Sequence, residues 1–313
     1  MLGSLDIIVV NWNSGGQLYE CLKSIAASDR TGIELKRVVV VDNASGDGST
    51  ECTSAFEIPL RVVMNSKNLG FSFACNQGAQ GSSADFLLFL NPDVYLCRDS
   101  LGRPLAFMKE IQAKDIGIVG IQLVDERGEV ARSCARFPTP GRFVTRMFGL
   151  DRLFPMFFRA HFMTEWDHRD SRIVDQIIGA FFMVRRSVYE MLGGFDSRFF
   201  VYYEDVDFSL RAREAGFRSY FLSDVQAVHR GGGTSEQVKP ARLFYSLRSR
   251  IRFCYKHYDW LGATAVTLGT LFIEPFTRTL VAVFHGSFEG VLDTLRGYAM
   301  LWRSILRGNT HTI

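Results

Sequence analysis

The sequence LKRVVVVDNASGDGS, residues 35–49, decides the class of fold. Its run of consecutive valines shows no alternation with polar residues, which is typical of a strand buried on both faces of a parallel sheet. The run ends abruptly at Asp42 and Asn43, where a turn rich in Gly and Ser follows. Because such a strand needs helices that cover both faces of its sheet, the segment predicts an α/β fold.

Other segments repeat this design of an apolar strand that ends in polar residues. A helical pattern follows the first of them, and a loop and a helix, KNLGFSFACNQGAQ at residues 67–80, follow the second. The alternation of strands and helices predicts a mostly parallel sheet, because right-handed crossovers place the helices on its faces. The segments are LDIIVVNWN (residues 5–13), LRVVMNS (60–66) and ADFLLFLNPDV (84–94).

The polar residues at these strand ends predict a ligand-binding crevice. Ligands of open α/β sheets bind beyond the carboxyl ends of the strands, so these side chains are expected to converge. Turn formation alone explains Asn43, Ser45 and Gly46, but it explains Asp93 poorly. The residues expected to converge are Asn11, Asp42, Asn65, Asn68 and Asp93.

A second candidate site lies in GGFDSRFFVYYEDVDFSLRAREAGF, residues 193–217, where aromatic residues precede Glu204, Asp205 and Asp207. A helical pattern follows, so the carboxylates are expected at a helix N-terminus. Helix capping would be enough to explain Asp207. Three acids crowded among aromatics, however, have raised proton affinity, which is how a general base or a metal ligand is prepared.

Composition and missing motifs argue against several classes of protein. The net charge of +3 is small, and basic residues do not alternate with aromatics, so nucleic acid is not an expected partner. No GxGxxG follows the first strand, and no GxxxxGK followed by Ser or Thr occurs. A nicotinamide-dependent enzyme or a P-loop ATPase is therefore not predicted.

The chain of 313 residues, 47% hydrophobic and 22% charged, is long enough for one large domain and an appendage. Its six cysteines lack metal-ligand spacing, which favours reduced core residues of a cytoplasmic protein. The N-terminus has no basic region or long apolar region of the kind that marks a signal peptide. Residues 132–172, rich in Arg, Phe and Met, are predicted to form a long excursion over the active-site edge.

The C-terminal region predicts membrane association. Residues 239–260 form a basic amphipathic helical pattern, in which Arg248, Arg250 and Arg252 are near enough to meet anionic lipid or a diphosphate. The apolar stretch that follows is interrupted at Glu274, so it is too short for a spanning helix and predicts interfacial helices. Helices packed as a subdomain, or forming a dimer contact, are the alternative.

In their common order, these motifs resemble family 2 glycosyltransferases of the GT-A fold, most of all bacterial rhamnosyltransferases that act on lipid-linked sugars. The resemblance covers about residues 5–250. It implies a three-layer α/β sandwich with a mostly parallel sheet. The motifs are VVNWN, VVVVDNASGDGS, NSKNLGFSFACNQG, LLFLNPDV, GAFFMVRR, the acidic segment above, and HRGGG at residues 229–233.

The resemblance implies a role for each candidate residue. Asp205 would be the general base, and Glu204 would orient the acceptor or tune Asp205. Asp93 stands in the position of the family's Asp-x-Asp motif and would bind Mg²⁺ or Mn²⁺ together with His229. Arg211 is equally well explained by a solvated helix face or a phosphate contact, and Arg248 and Arg250 are further candidates for acceptor or phosphate binding. The residues that would bind the nucleotide-sugar are Asn11, Asp42, Asn43, Asn68, Gly70, Asn91 and Asp93.

The implied enzyme is an inverting, metal-dependent glycosyltransferase on the cytoplasmic face of the plasma membrane, possible as a homodimer. It would transfer L-rhamnose from dTDP-rhamnose to a polyprenyl-diphosphate-linked sugar. UDP-galactofuranose and UDP-glucose are alternative donors, and a noncatalytic nucleotide-binding or membrane scaffold protein is the alternative of another class. Residues 1–238 would form the catalytic domain, with a donor half to about residue 100 and an acceptor half after it, and residues 239–313 a helical region.

Overall fold

The computed structural model describes residues 3–231 and 238–307, without the side chains of residues 111 and 152. Gly232 and Gly233 of the HRGGG motif lie outside these ranges. The chain divides into two compact units. The sheet unit comprises Met1–Arg136, Thr164–Ser197 and Glu204–Thr234, and the helical unit comprises Phe137–Met163, Arg198–Tyr203 and Ser235–Ile313.

A sheet of nine strands, counted over the described residues, forms the centre of the sheet unit in the order β3-β2-β1-β4-β10-β6-β11-β5, with β8 paired to β11. A separate pair joins β7 and β9. The strands are β1 (Gly3–Asn11), β2 (Ile33–Asp42), β3 (Leu60–Met64), β4 (Phe86–Leu90), β5 (Val94–Leu96), β6 (Ile116–Val124), β7 (Cys134–Ala135), β8 (Arg172–Val174), β9 (Gln176–Ile177), β10 (Phe181–Arg185) and β11 (Arg218–His229).

The longest pairings in the sheet are parallel. β1 pairs with both β2 and β4 in parallel, β2 with β3, and β6 with β11, whereas the pairings of β10, β5 and β8 are antiparallel. The predicted mostly parallel sheet is therefore confirmed. Val38 to Val41 are at most 2% exposed, as expected for a strand covered on both faces.

Helices of the sheet unit pack on both faces of the sheet. In α1, Leu18, Cys21, Leu22 and Ile25 are fully buried, as the helical spacing predicts. The six cysteines are free, also as predicted. The helices of this unit are α1 (Gly16–Ala27), α2 (Phe71–Ala79), α3 (Gly102–Lys109), α6 (Arg186–Met191) and α7 (Glu204–Glu214), with 3₁₀ turns at Ser49–Ala55 and Ile111–Ala113.

The helical unit contains the remaining helices. They are α4 (Pro140–Met147), α5 (Leu150–Leu153), α8 (Lys239–His257), α9 (Trp260–Leu268), α10 (Glu274–Phe284) and α11 (Phe288–Leu306), with a π-helical turn at Gly269–Ile273. Because α9, the π turn and α10 follow without a break, Trp260–Phe284 is one helix of 25 residues, called here the long apolar helix. Its length and mean hydropathy of 1.3 would allow it to cross a membrane by these two criteria alone.

The boundary between the units differs from the predicted boundary at residue 238. Residues 137–163 group with the C-terminal helices because Phe143 and Met147 of α4 share a buried cluster with Cys254, Ala263 and Val266. The predicted irregular excursion thus contains two helices. Its start was visible in the sequence, since Thr139 caps α4 by accepting a bond from the Arg142 backbone N–H, and Pro140 occupies the first turn.

The arginines of α8 that were predicted to meet anionic lipid or a diphosphate have partners within the helical unit. Arg250 and Arg252 are 6% and 8% exposed. The Arg250 guanidinium donates to Glu274 and, at 2.9 Å, to Thr270, all within the helical unit. The Arg248 guanidinium lies 5.2 Å from the ring centres of both Phe244 and Tyr245. These cations are used within the fold because α8 is a packed helix with the long apolar helix beside it.

Candidate functional site

The ends of β1 and β2 form the floor of the predicted crevice. Asn11 is fully buried, and its Nδ2 donates to Asp42 Oδ1 at 2.7 Å and to Ser49 Oγ at 2.8 Å. Asp42 Oδ1 also accepts from Ser45 Oγ at 2.6 Å, and Asp42 Oδ2 accepts from the Ser45 backbone N–H at 2.9 Å. Asp42 is fully buried, so a contact between its carboxylate and a nucleobase requires these loops to open.

Asn43 joins this floor to the neighbouring loop. Its backbone N–H donates to the Asn11 carbonyl at 2.8 Å, its Nδ2 donates to the Gly70 carbonyl at 3.2 Å, and its Oδ1 accepts from Asn65 at 3.0 Å. Of the residues expected to converge, the structure therefore brings together Asn11, Asp42 and Asn65, and Asn43 joins them. Asn43 does more than form a turn, because it connects three strands to the start of α2.

Gly70 stands at the N-terminus of α2 with φ of 90° and ψ of 165°, a conformation that only glycine adopts readily. The Asn68 side chain fixes this turn, since its Oδ1 accepts from the Gly70 backbone N–H at 2.9 Å. The N-terminal N–H groups of a helix favour anions. Asn68 and Gly70 are therefore well placed to hold a polar group against the start of α2.

Asn91, Pro92 and Asp93 form a tight turn after β4, closed by a bond of 3.1 Å from the Val94 N–H to the Asn91 carbonyl. Asp93 Oδ2 lies 3.5 Å from His229 Nε2, and neither side chain is more than 18% exposed. Asp93 Oδ1 is buried and has no hydrogen-bond partner. An unsatisfied buried carboxylate oxygen needs a partner that the protein does not supply, and a cation is one such partner.

The donor set at this turn fits a divalent cation that completes its shell with substrate oxygens. Over the described residues, no group of three or more His, Cys, Asp or Glu side chains could hold a metal alone. Mg²⁺ is often held by one or two carboxylates together with substrate phosphates. Asp93 and His229 fit this arrangement.

The carboxylate of Asp205 is held at the start of α7 by groups from three places. Its Oδ2 accepts from the Gly179 N–H at 2.9 Å and from Gln176 Nε2 at 3.1 Å, and its Oδ1 accepts from the Val206 N–H at 2.8 Å. Ala180, the residue after Gly179, accepts a hydrogen bond of 3.0 Å at its carbonyl oxygen from the Asn91 N–H. One turn at residues 179–180 therefore links the Asp205 carboxylate to the Asn91 turn.

Sequence reasoning missed Gln176. It lies on the two-residue strand β9, is 2% exposed and reaches Asp205 across 29 positions of sequence. So short a strand has no usable periodicity, and the sequence carried no other signal for this residue. Gln176 acts as a positioning residue, because its amide fixes the orientation of the Asp205 carboxylate.

Burial changes the protonation of the acidic pair. It raises the pKa of Glu204 well above the usual value for glutamate, and the adjacent charge of Asp205 raises it further. Burial also raises the pKa of Asp205, but the N–H donors of Val206, Gly179 and Gln176 oppose this rise. Glu204 Oε2 has no hydrogen-bond partner. The pair is thus arranged so that Glu204 retains its proton and Asp205 carries the charge.

The backbone before α7 is strained. Tyr202 and Tyr203 have φ of 66° and 71°, a left-handed conformation that bulky residues seldom adopt. Such outliers cluster at functional sites, where the surrounding structure must hold them. The strain therefore supports a functional role for the residues that follow.

The arginine candidates are committed to partners within the fold. Arg211 donates to Asp207 at 2.8 Å and to the carbonyls of Leu192 and Gly194 at 2.7 and 2.9 Å. It therefore anchors the turn at Gly193 and Gly194 to α7. This geometry does not support a phosphate role for Arg211. Arg248 and Arg250 belong to the helical unit and have the contacts given above, and Arg250 is only 6% exposed, which does not favour a phosphate contact.

Glu204→Gln is expected to raise the melting temperature at neutral pH. The rise should be about 2–4 °C for each kcal/mol that the substitution adds to the free energy of unfolding. A carboxyl with a raised folded-state pKa contributes stability that is complete below its unfolded pKa and is lost as pH rises through the folded value. The variant has no such loss. Calorimetric melting at several pH values should show a difference that widens from acidic to neutral pH, and an equal difference at every pH would contradict the protonation assignment.

The sequence is similar to those of known glycosyltransferases. Residues 6–193 match the profile of glycosyl transferase family 2. The chain is similar to the N-acetylglucosaminyl-diphospho-decaprenol L-rhamnosyltransferase of Mycobacterium tuberculosis, with 26% identity over 280 residues, 84% of this chain and 88% of the relative. It is also similar to rhamnosyltransferase WbbL of Escherichia coli, with 27% identity over 172 residues, 54% of this chain and 61% of the relative.

Among solved structures, the chain is similar to the mannosyltransferase PcManGT of Pyrobaculum calidifontis, which was solved in complex with GDP-Man and Mn²⁺. The TM-score is 0.56 at 17% identity, and the match covers 100% of this chain and 85% of that one. At this identity the likeness speaks for the fold. The predicted GT-A fold is confirmed.

Proposed function

The chain belongs to glycosyl transferase family 2, and we propose that it transfers L-rhamnose from dTDP-rhamnose to a polyprenyl-diphosphate-linked sugar with inversion. The observation that supports this most is Asp205, a half-buried carboxylate with a raised pKa that three N–H groups hold in a fixed orientation. The activity for which the mycobacterial relative is named supports the choice of sugar and acceptor, because the match spans most of both chains.

Asp205 acts as the general base. It accepts the proton of the acceptor hydroxyl while that oxygen attacks C1 of the donor sugar, and the bond from C1 to the diphosphate breaks in the same step. The nucleoside diphosphate leaves with the bond electrons, so a single displacement inverts the anomeric centre. Glu204, which keeps its proton, limits the charge beside Asp205.

Asn68, Gly70, Asn91 and Asp93 hold the donor. A divalent cation held by Asp93 and His229 would neutralise charge on the diphosphate leaving group. The unsatisfied Asp93 Oδ1 favours such an occupant. Mg²⁺ and Mn²⁺ both suit a site of this composition.

The enzyme works at the cytoplasmic face of the plasma membrane, where a polyprenyl-linked acceptor is found. Family membership identifies the chemistry, whereas UDP-galactofuranose and UDP-glucose would fit the same residues as donors. A noncatalytic scaffold would need neither Asp205 nor its buried hydrogen bonds.

A donor panel tests the proposal. Release of nucleoside diphosphate should be measured with dTDP- and UDP-sugars in the presence of lipid acceptor. We expect the highest rate with dTDP-rhamnose and dependence on the acceptor. A higher rate with a UDP-sugar would reassign the donor, and no release with any donor would favour the scaffold.

Gln176→Leu is expected to lower kcat about tenfold and to move the acidic limb of the rate profile to higher pH. Loss of an N–H donor to the charged carboxylate raises the pKa of Asp205, so more base is protonated at a given pH. The pH dependence of kcat should be compared with that of Gln176→Asn. A reduced rate without a shift of the limb would assign Gln176 a purely structural role.

A further inference from the structure

The long apolar helix has an inverted distribution of polarity. Its exposed side carries an apolar stripe at helical spacing, although helices on soluble domains expose their polar side. The exposed fractions are 69% for Leu261, 51% for Leu268, 61% for Phe272, 74% for Phe276, 56% for Leu280 and 80% for Phe284. Only 28% of its most apolar window is buried.

The opposite side of this helix is buried and carries polar residues beside the apolar Ala263 and Val266. Thr270 is fully buried and Glu274 is 6% exposed. Glu274 accepts from Arg250 of α8 and, at 2.8 Å, from Arg278. The Glu274 carboxylate is therefore bonded inside the helical unit while phenylalanines face outward, which is the arrangement of a protein whose surroundings are apolar.

A second exposed apolar segment lies in Leu153–Phe157, within the same unit. Met156 is 90% exposed, Phe157 81% and Leu153 69%. This segment begins at the end of α5, which follows α4. Met147 of α4 packs so closely on the long apolar helix that a Cβ on Gly269 would lie 2.6 Å from the Met147 sulfur.

The helical unit also exposes tryptophans and a basic residue. The helix begins at Trp260, which is 70% exposed, and α11 exposes Trp302 beside Arg303. Trp and Arg are the residues that sit at the level of lipid headgroups. A second copy of the chain is a poorer occupant, because a two-fold contact would bring the same basic residues of both copies together.

We propose that the helical unit is a monotopic membrane-docking surface, which inserts the stripe of the long apolar helix and the Leu153–Phe157 loop into one leaflet. The buried Arg250–Glu274 pair keeps the other side of the helix on the protein, so the helix does not span. This proposal rests on the membrane location proposed above and names the surface that would contact the lipid. It does not depend on the identity of the donor sugar, so the two can be tested separately.

Cosedimentation of the full chain with vesicles of phosphatidylcholine and phosphatidylglycerol tests the surface. The wild type should remain bound at ionic strength on the order of 1 M, where the Debye length is about 3 Å and electrostatic attraction is screened. The triple variant Phe272→Glu, Phe276→Glu, Leu280→Glu should lose at least about tenfold in partitioning, and Met156→Glu with Phe157→Glu should also weaken it.

Met191→Glu is the matched control, since Met191 is 56% exposed but belongs to the sheet unit, and it should bind vesicles as the wild type does. Circular dichroism melting verifies that each variant folds. Loss of wild-type binding at high salt, unchanged binding of the glutamate variants, or a lipid-free dimer that the triple variant dissociates would each overturn the proposal. Labels at the two ends of the helix that react from opposite sides of sealed vesicles would overturn the one-leaflet placement.

Discussion

Asp205→Asn is expected to lower kcat by roughly two to four orders of magnitude, the usual contribution of a positioned general base. Asparagine retains the size of the side chain and can still accept the Gly179 N–H through its oxygen, so the start of α7 should keep its structure. It cannot take the proton of the acceptor hydroxyl. Nucleotide affinity should stay near the wild-type value, because Asp205 is not assigned to donor binding. Single-turnover transfer and nucleotide titration measure the two quantities separately.

Glu204→Gln is the matched control for this prediction. An amide resembles the protonated carboxyl that burial favours at this position, so activity should stay within about tenfold of the wild type. If both variants lost activity equally, the base could not be assigned to Asp205. Near-normal turnover of Asp205→Asn would move the base role to another residue.

Asp93→Ala is expected to remove the effect of divalent metal on nucleotide diphosphate binding and to lower kcat/KM by roughly two to three orders of magnitude. The carboxylate is assigned as the anionic metal ligand, and one of its oxygens is buried without a partner. The fold should persist, since the substitution removes an unsatisfied polar atom. Calorimetric titration with dTDP, with and without Mg²⁺ or Mn²⁺, measures the loss.

His229→Ala should show a smaller loss of the same kind, because the imidazole is the second assigned ligand and lies 3.5 Å from Asp93. Asp224→Ala, at a half-exposed carboxylate paired with Arg103, is the control and should bind metal and nucleotide normally. Full activity of the wild type in excess chelator would remove the metal assignment from both Asp93 and His229.

The sequence was sufficient for the sheet and for the residues at its edge. The apolar run from Val38 to Val41 predicts a doubly covered strand, and strands of one sheet bring Asn11, Asp42 and Asn43 together by geometry. These inferences succeeded because periodicity and strand ends are local properties of the chain.

Contacts between distant segments could not be predicted in this way. Gln176 meets Asp205 only because β9 pairs with β7 and lies beside α7. The arginines of α8 form a basic pattern in the sequence. In the fold, however, Arg250 is buried and donates to Glu274, which lies 24 positions further along the chain. The direction in which a helix faces depends on its neighbours, so a stripe of phenylalanines could not be assigned to the interior or the outside.

Transfer to lipid is the measurement that tests the central claim most directly. The purified full chain should be incubated with dTDP-rhamnose, Mg²⁺ and a polyprenyl-diphosphate-linked amino sugar, and the organic-phase lipid analysed by mass spectrometry. We predict a product heavier by one deoxyhexose residue, formed by the wild type and lost with Asp205→Asn. Unmodified lipid with the wild type, or equal product with Asp205→Asn, would contradict the account.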